Sequence, residues 1–280
     1  MSGAGGTGGF AEIAAGVYVW RYPVLDVNVT LVVGSGAALL VDTLSTDAQA
    51  WELREAVRRM TDAPPTIVNT HHHFDHCFGN AVLAGPDTEI WAAEEATRLL
   101  RERGDRLQRD WYLEFAATHP DVADGLAAVR IVAPTRTVHL ESTVDVGGRP
   151  VLLRHLGRGH TAGDLVVQVP DADVLLAGDL VEQSGPPQFG DAFPLEWPET
   201  LAGLLRLATP ATAVVPGHGA VVDTAFVRGQ HADLTALEWL IRDGDADGAP
   251  AADVAAKAPF GPAVALVAVE RGYAELAGRA

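Results

Sequence analysis

The chain has 280 residues, 48% hydrophobic and 20% charged, which allows one large domain or two small ones with a sizeable core and excludes a disordered chain. A formal charge of -17 opposes phosphate backbones, so nucleic acid is not an expected partner. The single cysteine, Cys77, excludes an internal disulfide, the Gly-rich start MSGAGGTGGF does not read as a signal peptide, and no apolar run is long enough to span a bilayer, so the expectation is a cytoplasmic protein without a membrane partner.

In chain order, GVYVW (16–20), NVTLVV (28–33) and AALLVD (37–42) are β-rich runs broken by RYPVLD and GSG, the pattern of consecutive antiparallel strands. Residues 46–60 predict a helix capped by Thr46 or Ser45, with Trp51, Leu53, Val57 and Met60 as its apolar stripe. PPTIVNT predicts a buried strand entered after Pro65, and TEIWAAEEATRLLRER a strand followed by a helix. Residues 105–129 predict one or two more helices, and β character returns in TVHL, TVDV, PVLLRHL, DLVVQVP and DVLLAGD over 137–179. A Pro/Gly-rich loop covers 184–194, a helix spans about 197–208, TAVVPGHG is another strand, and the tail after 223 is mostly helical. The two halves repeat the same plan, which implies an α/β protein with two packed sheets and outer helices.

Four of the ten histidines fall in NTHHHFDHCFGN, where His71, His72, His73, Asp75 and His76 leave the end of the TIVN strand. His71 and His73 project to one side of an extended chain, and Asp75 and His76 follow after a turn. Imidazole and carboxylate together suit zinc, and less specifically iron or manganese. Four such donors exceed one tetrahedral site with room for water, so the pattern invites two metals. His160 in GRGHTAGD, Asp179 in VLLAGDL and His218 in VVPGHG each place a further metal-competent side chain just after β structure, beside glycines.

The ordered set HxHxDH (71–76), GHTxGD (159–164), GD (178–179) and PGHG (216–219) resembles the metallo-β-lactamase superfamily over roughly residues 16–223, with a glyoxalase II-like metal motif. The resemblance implies an α/β fold of the four-layer αββα sandwich type. A flexible tail over 1–9, the domain over 10–223 and a helical extension over 224–280 packed on the same domain are the expected organisation. It also implies that His71, His73 and His160 hold a first metal, that Asp75, His76 and His218 hold a second, and that Asp179 bridges them. Two zinc ions about 3.5–4 Å apart would clamp a hydroxide for attack on a small ester, thioester, lactone or amide carbonyl, with Asp75 as the proton-handling residue. An aspartate at 179 departs from the true β-lactamases of the family, which points to the wider hydrolase branch. Two rivals remain: a persulfide dioxygenase-like enzyme with a single iron, and a non-catalytic metal- or ligand-binding protein of the same fold.

Other residues have plainer expected roles. His72 points away from the ligands, Cys77 is packed, and Asp42 and Asp164 brace the ligand loops. Cys77, Phe78 and Asn80 stand where the family often has a glycine pair, and so shape the pocket. Arg158 replaces a proline frequent in glyoxalases. Tyr18, Trp20, Tyr22, Phe189 and Phe193 are candidates for pocket walls or core. Leu234, Leu237, Trp239 and Leu240 form a packing stripe or a dimer face, so a homodimer is allowed.

Overall fold

The computed structural model describes residues 8–279. The flexible tail expected over 1–9 falls largely on 1–7, outside the described residues. The first sheet holds seven strands in sequence order: β1 (Ala11–Ala14), β2 (Val17–Arg21), β3 (Asn28–Val33), β4 (Ala38–Val41), β5 (Pro65–Val68), β6 (Ile90–Ala93) and β7 (Arg136–Val138). Its first four strands pair antiparallel, as the short Gly- and Pro-containing breaks require, and the last three join in parallel through longer crossovers. Between β4 and β5 lies α1 (Asp47–Met60), and between β5 and β6 the two short helices α2 (Phe74–Cys77) and α3 (Asn80–Leu83). Helices α4 (Glu94–Phe115) and α5 (Pro120–Ala128) lie between β6 and β7.

The second sheet contains β8 (Glu141–Asp145), β9 (Pro150–Arg154), β10 (Val166–Val169), β11 (Val174–Glu182) and β12 (Ala213–His218), ordered β12-β11-β10-β9-β8. Helix α6 (Trp197–Leu207) carries the chain from β11 to the parallel β12. The tail forms α7 (Thr224–Ala246), α8 (Ala251–Ala255) and α9 (Pro262–Leu276).

Alternating residues explain the layers. Val32, Leu39, Val41 and Val68 of the first sheet meet Leu153, Val167, Leu176 and Val215 of the second in the central core. The opposite face of the first sheet puts Leu31 and Leu40 against Leu53 and Val57 of α1. The second sheet's outer face packs Leu175 and Val214 among Trp197, Leu201, Leu234 and Leu237 of α6 and α7. The result is helix, sheet, sheet, helix, the four-layer sandwich expected.

Several details differ from the sequence reading. Thr46 does cap α1, its hydroxyl accepting from Gln49 N, but Trp51 is 50% and Met60 37% exposed. At 100° per residue Trp51 lies 200° from Leu53, so the buried face is Ala50, Leu53, Ala56 and Val57. Helix α4 runs unbroken through Gly104, whose missing side chain admits Ile131; a Cβ there would lie 2.7 Å from Ile131 Cγ2. In the α7 stripe Leu234 and Leu237 are buried but Trp239 is 64% exposed. Among the described residues no helix is long and apolar enough to cross a membrane.

Candidate metal centre

The ends of β5 and β12, the second half of β11, which runs on past Asp179 to Glu182 instead of ending before it, and the turn between β9 and β10 meet at one edge of the sandwich. There the structure brings all seven predicted donors together. His71, His73, His160 and Asp179 form one group and Asp75, His76 and His218 another, the donor atoms of each group lying within 4.8 Å of one another. Asp179 stands between the groups: its Oδ1 is 3.1 Å from His76 Nε2, and its Oδ2 is 3.4 Å from both His160 Nε2 and His218 Nε2 and 3.7 Å from His71 Nε2. Asp75 Oδ2 lies 3.3 Å from His218 Nε2.

Two glycines make this convergence sterically feasible. A Cβ at Gly217 would fall 1.7 Å from Asp179 Oδ1, so only glycine leaves room for that carboxylate. Gly178, at φ +52° in the left-handed region, sits in the middle of β11, where the pairing with β12 is irregular, and lies against Thr70.

Each imidazole is tied on the nitrogen facing away from the centre. His76 Nδ1 is 2.8 Å from Asp42 Oδ2, His73 Nε2 3.1 Å from Asp191 Oδ1, His160 Nδ1 3.2 Å from the Gln188 carbonyl and His218 Nδ1 2.7 Å from the Leu25 carbonyl. His71 Nδ1 is 3.1 Å from Thr70 Oγ1, which itself donates to Asp42. Carboxylates and carbonyls only accept, so the outer nitrogen carries the proton and the neutral ring turns a lone pair inward. These lone pairs meet: His160 Nε2 is 3.0 Å from His73 Nδ1, and His76 Nε2 is 3.3 Å from His218 Nε2. His71 Nε2 and Asp179 Oδ1 are buried with no hydrogen-bond partner. Facing lone pairs and orphaned buried acceptors fit a cation, the ligand class that satisfies them together.

The inner nitrogens are also where a second proton would sit, and burial and the carboxylates compete over it. Burial lowers the His76 pKa, but the carboxylates of Asp179, Asp75 and Asp42 outweigh burial and push it well above the usual range. The same contest, against Asp179 and Asp75, raises His218. Burial dominates at His160, which falls to about 4, and at His71. At Asp179 burial is overcome by His76 and His218, which hold it ionised.

The bracing residues behave as expected. Asp42, buried at φ +68°, accepts from Thr70 N and Oγ1 as well as His76. Asp164 accepts from Thr161 N and Oγ1 and touches none of the seven donors; burial lifts it to about 7. Cys77 Sγ donates to the carbonyls of His72 and His73, and burial raises its pKa well above that of a free thiol, so it is packed and unreactive.

The pocket is built from other residues than those anticipated. A cavity of about 370 Å³ opens over the donors. Cys77 and Phe78 instead pack beneath the loop against Leu100 and Leu126, and Asn80 is bonded to Asn69 and the Val132 carbonyl. Of the aromatic candidates, Trp20 and Tyr22 are core, Phe189 packs on Trp197, and Phe193 lies under Arg158. Arg158 is further held by Glu196. Phe74, Trp111 and Phe115 form the apolar wall, while Leu25 reaches in from the β2–β3 turn.

Sequence reasoning missed Trp111 and Phe115, Glu182, and Asp191. His72, read from the sequence as a non-ligand, has its Nε2 3.3 Å from Asp191 Oδ2, on the same carboxylate that holds His73. An acidic residue inside the glycine-flanked QFGDAF, between two predicted ligands in sequence, was the available signal for Asp191.

Residues 22–218 match the family model described as the Metallo-beta-lactamase superfamily. The chain is 26% identical to the metallo-beta-lactamase type 2 of Bacteroides fragilis over 69% of its length and 68% of that protein's. It is 30% identical to the metallo-beta-lactamase type 2 of Bacillus sp. (strain 170), over 69% of this chain and 66% of the relative. The solved metallo-beta-lactamase from Pontibacter korlensis superposes with a TM-score of 0.63 at 21% identity, covering 81% of this chain and 98% of that one.

Proposed function

The chain belongs to the metallo-β-lactamase superfamily and is a metal-dependent hydrolase, and on that premise we propose that it holds two zinc ions and cleaves a small ester, thioester, lactone or amide in the cytoplasm. His71, His73 and His160 would hold one ion, Asp75, His76 and His218 the other, and Asp179 would bridge them. The observation that carries this reading is the pattern of tied imidazoles, with five rings fixed on their outer nitrogens and their inner lone pairs converging on one carboxylate. Two converging donor groups favour two ions over the single iron of the dioxygenase alternative.

Ions in such a set lower the pKa of water to about 7 and polarise a carbonyl. The protein's own part is positioning. Asp75, which lines the cavity and lies beside His218, would orient the attacking water, take its proton and pass it to the leaving oxygen, sulfur or nitrogen. Water is thereby added across the acyl bond, giving an acid and an alcohol, thiol or amine. Asp42, Asp191 and the carbonyls of Gln188 and Leu25 hold the rings so that no reorganisation is needed. The wall of Phe74, Trp111 and Phe115 limits water on one side.

Elemental analysis of the purified protein, followed by an ester, thioester, lactone and β-lactam panel, tests the proposal. Two zinc per chain with hydrolysis, both lost in His71→Ala and Asp179→Ala, is the expected result. Activity retained in metal-free protein overturns it. One iron per chain with oxygen uptake on persulfide replaces it with the dioxygenase, and full metallation without turnover on any substrate favours a binding protein.

A further inference from the structure

Five carboxyl side chains line the cavity: Asp75, Glu114, Asp179, Glu182 and Asp191. Among the described residues no lysine or arginine does. The arginines that touch the adjoining loop are engaged elsewhere. Arg158 stacks over Phe193 and pairs with Glu196, and Arg271 donates to the Ala192 carbonyl. Two dications would bring four positive charges to five carboxyls. Burial and the neighbouring Asp179 push Glu182 towards its neutral form. Even so, four carboxylates cancel the ions and leave no net positive charge for a substrate anion. A desolvated anion with no partner is strongly disfavoured.

The opposite wall is apolar and already assembled. Phe74 packs on Trp111 at 4.9 Å and on Phe115 at 5.1 Å between ring centroids, and Trp111 also meets the ring of His73 at 5.3 Å. Rings fixed by each other present a face to an apolar group with little ordering required. Glu114, near the end of α4 and between Trp111 and Phe115 in sequence, is exposed at the rim. An indole face beside a carboxylate is a cation-favouring pair.

We propose that this cavity selects carbonyl substrates with an aromatic-sized apolar group and no negative charge, accepting a cationic group at the Glu114 rim; the inference rests on the hydrolase reading above. Shape and charge assign separate tasks: Phe74, Trp111 and Phe115 receive the apolar group, while Glu114 and Asp191 reject anions. Carboxylate-bearing substrates such as β-lactams then meet repulsion where they need a cation.

The test uses the zinc-loaded protein and two readouts. The first is calorimetric binding of benzyltrimethylammonium, which has no metal-coordinating atom. The second is kcat/KM for three 4-nitrophenyl phenylacetates whose ring carries a carboxylate, a methyl or a trimethylammoniomethyl group, each divided by its own hydroxide-catalysed rate. The ammonium probe is expected to bind, and Glu114→Lys to weaken it about tenfold. The carboxylate ester is expected at least about tenfold below the methyl ester, with Glu114→Lys narrowing the gap. Failure of the probe to bind, or equal turnover of the carboxylate and methyl esters, overturns the inference while leaving the hydrolase reading intact. Binding of the probe without hydrolysis of any ester does the reverse: the charge selection stands and esters are removed from the proposed substrates.

Discussion

Asp191 Oδ1 lies 3.1 Å from His73 Nε2, while the other nitrogen of that ring faces His160 at 3.0 Å. The carboxylate therefore decides which nitrogen of His73 is free to bind. Burial opposes its ionisation, but His73 and His72 hold Asp191 well below the usual carboxylate range. Asp191→Ala should weaken the ion shared by His71, His73 and His160 by about 10–100-fold, with a smaller effect on the other. Asp191→Asn, which keeps an acceptor oxygen, should recover part of the loss. Chelator competition measures both; unchanged affinity in the alanine variant would mean that the contact does not orient the ring.

Gly217 offers a steric test of the bridging position. An added methyl would occupy the place of Asp179 Oδ1, 1.7 Å away, with Asp179 N only 2.9 Å off. The residue is not in the left-handed region, so alanine is not excluded by its backbone angles. Gly217→Ala should therefore fold but lose metal and activity together. Gly229, exposed in α7 with nothing within 4 Å of where a methyl group would stand, is the control: Gly229→Ala should gain up to about 1 kcal/mol from helix propensity. Normal metal content in Gly217→Ala would show that Asp179 can move without consequence.

These two positions also mark how far the sequence could be read. The strands were legible because β-branched runs alternate and end in glycine or polar residues, and the donors were legible because each follows such a run beside glycine or polar residues, although β11 continues past Asp179 to Glu182. PGHG showed a glycine before His218, but only the packing reveals that it makes space for Asp179. Asp191 lies in an irregular loop with no periodicity to fix its direction. Trp111 and Phe115 sit four apart on α4, a spacing that reads as core; the crossing of α4 over the 74–78 segment decides that they face a cavity. Trp51 misled for the reverse reason, since a large apolar residue outweighed the small alanines that form the buried face of α1.

Asp42 is expected to matter to stability before it matters to chemistry. It is the shared acceptor for Thr70 N, Thr70 Oγ1 and His76 Nδ1, all buried. Alanine leaves those donors unsatisfied and must also adopt φ +68°. A loss of about 3 kcal/mol follows, or roughly 6–12 °C in Tm for a chain of this size. Asp42→Asn tolerates the left-handed backbone and keeps an acceptor, so it should lose less. Equal melting temperatures for wild type and Asp42→Ala would rule out this bracing role.

Glu275 supplies a pH dependence away from the donors. At the seam between α9 and the loop before α6 it accepts from Leu195 N at 3.2 Å. Burial lifts its pKa to about 7, with Glu196 raising it further while the Leu195 amide, Arg158 and Arg271 pull it down. The folded value exceeds the unfolded one of about 4.3, so the folded state binds the proton more tightly. Its contribution is fully present below about pH 4 and is lost as pH rises through about 7. Glu275→Gln keeps the acceptor and removes the charge. Because the side chain is only half-buried, the gain at pH 8 should be about 1 kcal/mol, well under the full value of the shift. At pH 5, where wild-type Glu275 is largely protonated when folded, most of the difference should vanish. Urea denaturation at the two pH values measures it, and a variant whose advantage is the same at both would place the effect in packing and not in the proton.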